Sequence, residues 1–173
     1  MAYPVVRTDL MQGTNDESLL RTFKYLPSNT ATAINNGCVV KLDGLLLDSD
    51  QNVPNREVWK AVAVAANDAL KNVVLVCTPE LMYDPRLHKL SDFQNPAGAL
   101  CRGYIMAEND IFSLTQDAFS AKPSTVARGN IVELAAGNQM KIVESLTSGS
   151  TKVGEVIDIE TVGELTYIVI RVC

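Results

Sequence analysis

Polar and apolar positions along this chain alternate over short runs, and turn residues separate the runs. Arg102-Gly-Tyr-Ile-Met, a polar Ala-Glu-Asn-Asp break, and Ile-Phe-Ser-Leu-Thr-Gln-Asp-Ala-Phe read as strand, tight turn, strand. Asn130-Ile-Val-Glu-Leu and Gln139-Met-Lys-Ile-Val-Glu flank a turn at Ala136-Gly137-Asn138, after a Pro-bearing link at Lys122-Pro123-Ser124. Beyond the connector Thr147-Ser-Gly-Ser-Thr, residues Gly154 to Glu160 and Leu165 to Val172 predict a hairpin turning near Val162-Gly163. The last of these strands is apolar on both faces, which places it in the middle of a sheet.

The middle of the chain follows the same grammar. Asn36-Gly37 marks a turn and Cys38-Val-Val-Lys-Leu a strand; Asp48 to Asn55 is a polar loop. Glu57 to Ala65 fits two patterns. Val58, Val62 and Ala66 recur every four residues, as in a helix, whereas Trp59 and the valines favour a strand. The turn-like Ala-Asn-Asp and the run Asn72-Val-Val-Leu-Val-Cys that follow tip the reading to strand. Thr78 to Gly98, with Pro79, Pro85 and Pro96, is a long irregular connection of the kind that carries function or covers something. Short strands at this spacing make the chain mainly β, as a small antiparallel β-barrel or sandwich.

Residues 1–33 break the pattern. Pro4, Gly13 and Pro27 interrupt any period, while Thr14 and Glu17 form a capping-box pattern ahead of Leu19, Leu20, Phe23 and Leu26 at helical spacing. The expectation is an extended N-terminal arm holding at most a short helix, with residues 34–173 as the β-rich domain. Such an arm either crosses its own barrel or lies on a neighbour.

Composition narrows the function classes. Hydrophobic residues make up 47% of the 173, enough for an ordinary core, and no run is long enough to span a bilayer. The first residues lack the basic-then-apolar order of a secretion signal, so synthesis in a cytosol is expected. Net charge is −5 and the cations are scattered singly, which argues against nucleic acid and against an anionic membrane. Cys38, Cys77, Cys101 and Cys173 have no C-x-x-C spacing and read as free thiols, with Cys173 exposed.

Catalytic signals are weak. His88 is the only histidine and sits in a polar loop, better read as solvated than as a general base. Asp48-Ser-Asp-Gln-Asn opens like a calcium loop, but Val53 stands where Gly is needed and Trp59 where the bidentate Glu is needed, leaving at most weak divalent binding at 48–52. Glu108 and Asp110 mimic a carboxylate pair but fit an acidic turn. Tyr104 and Phe112 fit a core or interface better than a base-stacking platform, and no Walker, dinucleotide or Gly-x-Ser-x-Gly motif occurs. No catalytic, cofactor or metal residue is therefore assigned.

Several segments taken in order carry a family likeness: Asn36-Gly37-Cys-Val-Val-Lys-Leu; Asn72-Val-Val-Leu-Val-Cys-Thr-Pro-Glu with Tyr83-Asp84; Phe93-Gln-Asn-Pro-Ala-Gly with Arg102-Gly-Tyr-Ile-Met; Asn109-Asp-Ile-Phe-Ser-Leu-Thr; and Gly129-Asn-Ile-Val with the closing strand. Over roughly the last four fifths of the chain this series resembles the small decoration proteins (cement or head-fibre-base type) of tailed-bacteriophage capsids. Asn109 stands where such sequences often have Gly, which bears on the turn type. The resemblance implies a non-enzymatic structural protein without cofactor, made in the host bacterial cytoplasm and carried on the virion exterior. It would bind the major capsid protein and stabilise the lattice, as a homo-oligomer with a trimer favoured. The partner surface would then include Tyr3, Val5, Leu10, Phe23 and Tyr25 of the arm and Leu81, Tyr83 and Phe93 of the long loop. The alternative readings are a small-molecule or carbohydrate-binding β-barrel module and, third, an enzyme with an intersubunit site.

Overall fold

Two stretches of valines with apolar side chains on both faces organise the molecule. In a strand, successive side chains point to opposite sides, so a run that is apolar throughout must be covered on both. The computed structural model describes residues 3–47, 54–82 and 88–173. Within it the start of β3 (Val39–Leu47) and all of β5 (Val73–Val76) meet that demand by standing between two cores. Val40, Val74 and Val76 point into one, and Val39, Val73 and Leu75 into the other.

The first core is the inside of a closed barrel. Its strands run in the order β2 (Leu20–Tyr25), β4 (Pro54–Val62), β3, β5 and β6 (Cys101–Ile105), and β6 returns to β2. All neighbours are antiparallel except β2 and β4, which are parallel. Phe23, Tyr25, Ile34, Cys38, Ala61 and Cys101 fill the interior together with the inward valines. Gly103 is required there: a Cβ on it would lie 2.6 Å from Val74 Cγ2.

The second core lies between one wall of this barrel and a seven-stranded sheet. The sheet order is β1 (Val6–Leu10), β7 (Ile111–Thr115), β12 (Leu165–Val172), β11 (Lys152–Val162), β9 (Ile131–Leu134), β10 (Met140–Val143) and β8 (Phe119–Ala121). Only β8 and β10 pair in parallel. Phe112, Leu114, Val132, Leu134, Met140, Ile168 and Ile170 face the outward residues Val39, Val73, Leu75 and Tyr104 of the barrel. As expected, β12 is internal to the sheet, and Tyr104 and Phe112 are both core residues.

The chain enters the barrel after β1 and leaves it before β7, and β1 and β7 are hydrogen-bonded neighbours. The entry and exit points are therefore side by side. Asp110 joins them: its carboxylate accepts the Gln12 N–H at 2.8 Å from the entry and the Ala107 N–H at 2.8 Å from the exit. Its own carbonyl accepts the Val172 N–H at 2.8 Å, and the Asn109 N–H donates to the Val172 carbonyl. Asn109 takes φ of +70°, a left-handed conformation that Asn tolerates better than most residues.

Two sequence expectations change here. The strands on either side of Ala107-Glu-Asn-Asp do not pair as a hairpin; β6 belongs to the barrel and β7 to the sheet. Buried Asp110 is what makes that turn a corner between layers instead of a solvent-facing tip. The helix sought from Thr14 onward is absent. Short 3-10 turns at Gln12–Thr14 and Glu17–Leu19 lead into strand β2, because the alternation of Phe23 and Tyr25 toward the barrel interior outweighs the helical spacing. Of the two courses open to the N-terminal segment, residues 3–33 take the first and cross their own fold: β1 edges the sheet and β2 closes the barrel. The ambiguous stretch from Glu57 is strand, as the reading favoured.

Candidate docking surface

The long connection after β5 is held at both ends by one buried amide. Asn36 Nδ2 donates to the Thr78 carbonyl at 2.8 Å and to Glu80 Oε1 at 3.0 Å, while its Oδ1 accepts the Thr78 N–H at 3.0 Å. From the far end of the loop, Asn95 Nδ2 donates to Asn36 Oδ1 at 3.0 Å and to the Ile34 carbonyl at 3.1 Å. Backbone bonds between Ile34 and Asn95 run in both directions. Asn36 and Asn95 are each 1% exposed, so all this polarity is satisfied inside the protein.

Between these anchors the loop presents apolar side chains. Leu81 is 86% and Leu90 50% exposed. A short turn at Leu90–Asp92 is fixed by the Lys89 N–H, which donates to Asp92 Oδ2 at 2.8 Å. The Tyr3 N–H donates to the Ser91 carbonyl at 2.7 Å, laying the N-terminal residues against the same loop. The tip of the β11–β12 hairpin approaches from the sheet. Val162, 56% exposed, and half-buried Leu165 line an open recess of about 470 Å³ with Leu90 and Ser91. An exposed Lys89–Glu164 ion pair at 3.2 Å lies at this recess. A second recess, about 320 Å³, is lined by Leu81, Met82, His88, Asp92 and Phe93 among others.

The residues proposed for the partner surface separate into groups. Leu10 and Leu81 are exposed; Tyr3 and Phe93 are half-buried beside the loop. Val5, Phe23 and Tyr25 are corrections: Phe23 and Tyr25 pack inside the barrel, and Val5 is buried where β1 meets β7. None of these three is offered to a partner. Tyr83 and the candidate cation loop at 48–52 lie outside the described residues. Sequence reading missed Leu90 and Val162 as surface residues, and missed Asn36 and Asn95 as anchors. Asn-Gly signals a turn, but nothing local distinguishes a solvated Asn from one that a distant loop buries.

His88 is exposed. Burial pushes the thiols of Cys38 and Cys77 up to about 11 and raises that of Cys101, so these sulfurs stay protonated and poorly nucleophilic at neutral pH. Glu133, fully buried in β9, faces the Lys141 ammonium at 2.7 Å from Oε1, a charge contact off the hydrogen-bonding angle; its Oε2 accepts the Thr147 N–H at 2.8 Å. Burial pushes its carboxyl up, but Lys141 and Thr147 outweigh that and hold it below the ordinary value. Among the described residues no group of three His, Cys, Asp or Glu side chains is placed to hold a metal ion, and no helix is long and apolar enough to cross a membrane.

Comparison of the chain with protein-family models, with curated proteins and with solved structures finds no match.

Proposed function

We propose that this chain is a structural virion protein that attaches to the outside of a tailed-phage capsid and stabilises the lattice through many identical protein–protein contacts. The observation that carries the reading is the loop surface: exposed Leu81 and Leu90 on a connection locked at both ends by Asn36 and Asn95. Ends held in this way reduce the conformational entropy lost on docking, so more of the apolar area buried is turned into affinity. Each leucine driven into a partner contributes about 1.5–3 kcal/mol. That is modest for one copy, and attachment at several points makes the assembly persistent. The ordered likeness to capsid decoration proteins supports the same reading. The filled barrel interior is the reason for ranking docking above binding of a small molecule or carbohydrate.

Quantitative mass spectrometry of purified particles tests this directly, with the major capsid protein as reference. A stoichiometric ratio, or a simple lattice fraction of it, is the expected result; absence of the chain from particles overturns the reading. Deleting the N-terminal residues is a poor companion test, because it removes β1 and β2 from the fold. Leu81→Asp with Leu90→Asp leaves the fold intact and lowers attachment by about tenfold or more.

A further inference from the structure

The chain is acidic, yet one face of its barrel carries Arg21, Lys24 and Arg102, which make no ion pair among the described residues. Ion pairs occupy Arg7, Lys41, Lys60, Lys89, Arg128, Lys141, Lys152 and Arg171. Among the described residues the cations left without a carboxylate partner are Arg21, Lys24, Lys71, Arg102 and Lys122. Arg21, Lys24 and Arg102 stand together on β2 and β6.

Their placement follows from register. Phe23 and Cys101 point into the barrel, so Thr22, Lys24 and Arg102 point out of it. Thr22 pairs with Arg102, and Lys24 pairs with Lys60 on β4. Strand spacings of about 4.8 Å and rises of about 3.3 Å per residue put Arg102, Lys24 and Lys60 within about 12 Å of one another. Neighbouring like charges in a sheet are destabilising, and Asp43, 3.2 Å from Lys60 Nζ, relieves the Lys24–Lys60 pairing. At the end of this wall Arg21, Thr22, Arg102, Leu20 and Glu17 line a recess of about 340 Å³. Arg21 is fixed in place, because its Nη1 donates to the Ser18 and Leu20 carbonyls at 2.6 and 2.7 Å. Arg102 is exposed with its planar fork of donors free to meet a carboxylate.

We infer that the β4–β2–β6 wall of the barrel is a second docking surface, which takes an acidic polypeptide segment by pairing its carboxylates with Arg21, Arg102 and Lys24. The inference rests on the capsid reading for the source of that segment, the outer surface of the capsid. A second copy fits less well, since Glu155, Asp158, Glu160 and Glu164 along its long hairpin are each held by a cation. Nucleic acid fits less well because so few cations release few counterions and the rest of the chain repels phosphate.

The test titrates the full chain with a fluorescent oligoglutamate peptide, alongside Lys24→Gln/Arg102→Gln and Lys24→Glu/Arg102→Glu forms whose folding is checked by circular dichroism. Saturable binding by the parent is expected, about tenfold weaker in the glutamine form, absent in the glutamate form, and lost on going from about 50 to about 500 mM NaCl. Equal binding by all three forms, no binding by the parent, or tighter binding of oligothymidine overturns the inference. Co-sedimentation with capsids separates the two readings. If the parent does not sediment, the capsid reading falls while the peptide titration still decides the wall. If parent and glutamate form sediment equally, the wall falls and the capsid reading stands.

Discussion

At Asn36 four hydrogen bonds meet on one side-chain amide, and both ends of the long loop depend on them. Asn36→Ala leaves Thr78 and Asn95 groups unpaired inside the protein, at a cost of about 3 kcal/mol. The expected result is a lower urea midpoint and faster amide exchange at Thr78, with the barrel strands unaffected. Asn36→Asp is at least as damaging at neutral pH, because a carboxylate then faces the Thr78 carbonyl and the Glu80 side chain. Glu133 gives a pH signature instead. Its folded value lies below the ordinary one, so its stabilisation is complete above that ordinary value, about 4.3, and disappears as pH falls through the folded value. Asp68 acts in the same direction: burial raises its carboxyl, but Lys41 at 2.6 Å and the Ala65 N–H outweigh burial. Glu133→Gln is therefore least stable relative to the parent near neutrality, and the gap narrows in acid. Thermal melts between about pH 3 and pH 7 check the trend.

Glycines set the closest approaches between elements. At Gly154 in β11 an added Cβ would collide with the Arg171 carbonyl of β12, backbone that cannot step aside. At Gly103 it would collide with Val74 within the barrel. Gly103→Ala is expected to cost about 2 kcal/mol by overpacking, and Gly154→Ala more, both read from denaturant midpoints. Elements of this kind were unequally legible in the sequence. The β11–β12 and β9–β10 hairpins were visible because alternation and a glycine turn coincide in each. The strands around Asn109 carry the same local marks yet part company, since pairing choice is decided by partners that lie far away in the chain. The N-terminal segment misled for a related reason: a helical repeat and a capping pattern are local, whereas the barrel seam that claims β2 is not. Half of the candidate docking surface is legible as a long proline-bearing loop with Leu81. Its lock is not, because burial of an Asn is a property of the assembled fold.

For the molecule as a whole, the barrel and sheet share a core through β3 and β5, and neither buries its valines alone. Unfolding is expected in one transition, with Trp59 fluorescence from the barrel and far-ultraviolet circular dichroism giving the same midpoint. Leu75→Ala, at the junction, should lower that single midpoint by about 3 kcal/mol without splitting it. Two separated transitions would show that the layers are independent. The side-by-side entry and exit at Asp110 carry a consequence for inheritance. A segment whose ends meet can be exchanged whole, because the strands on either side remain neighbours whatever lies between them. The proposed docking loop and the cationic wall both belong to that segment. A lineage could thus change the surface this protein presents by replacing one continuous cassette, constrained only by the face that must still fit the sheet.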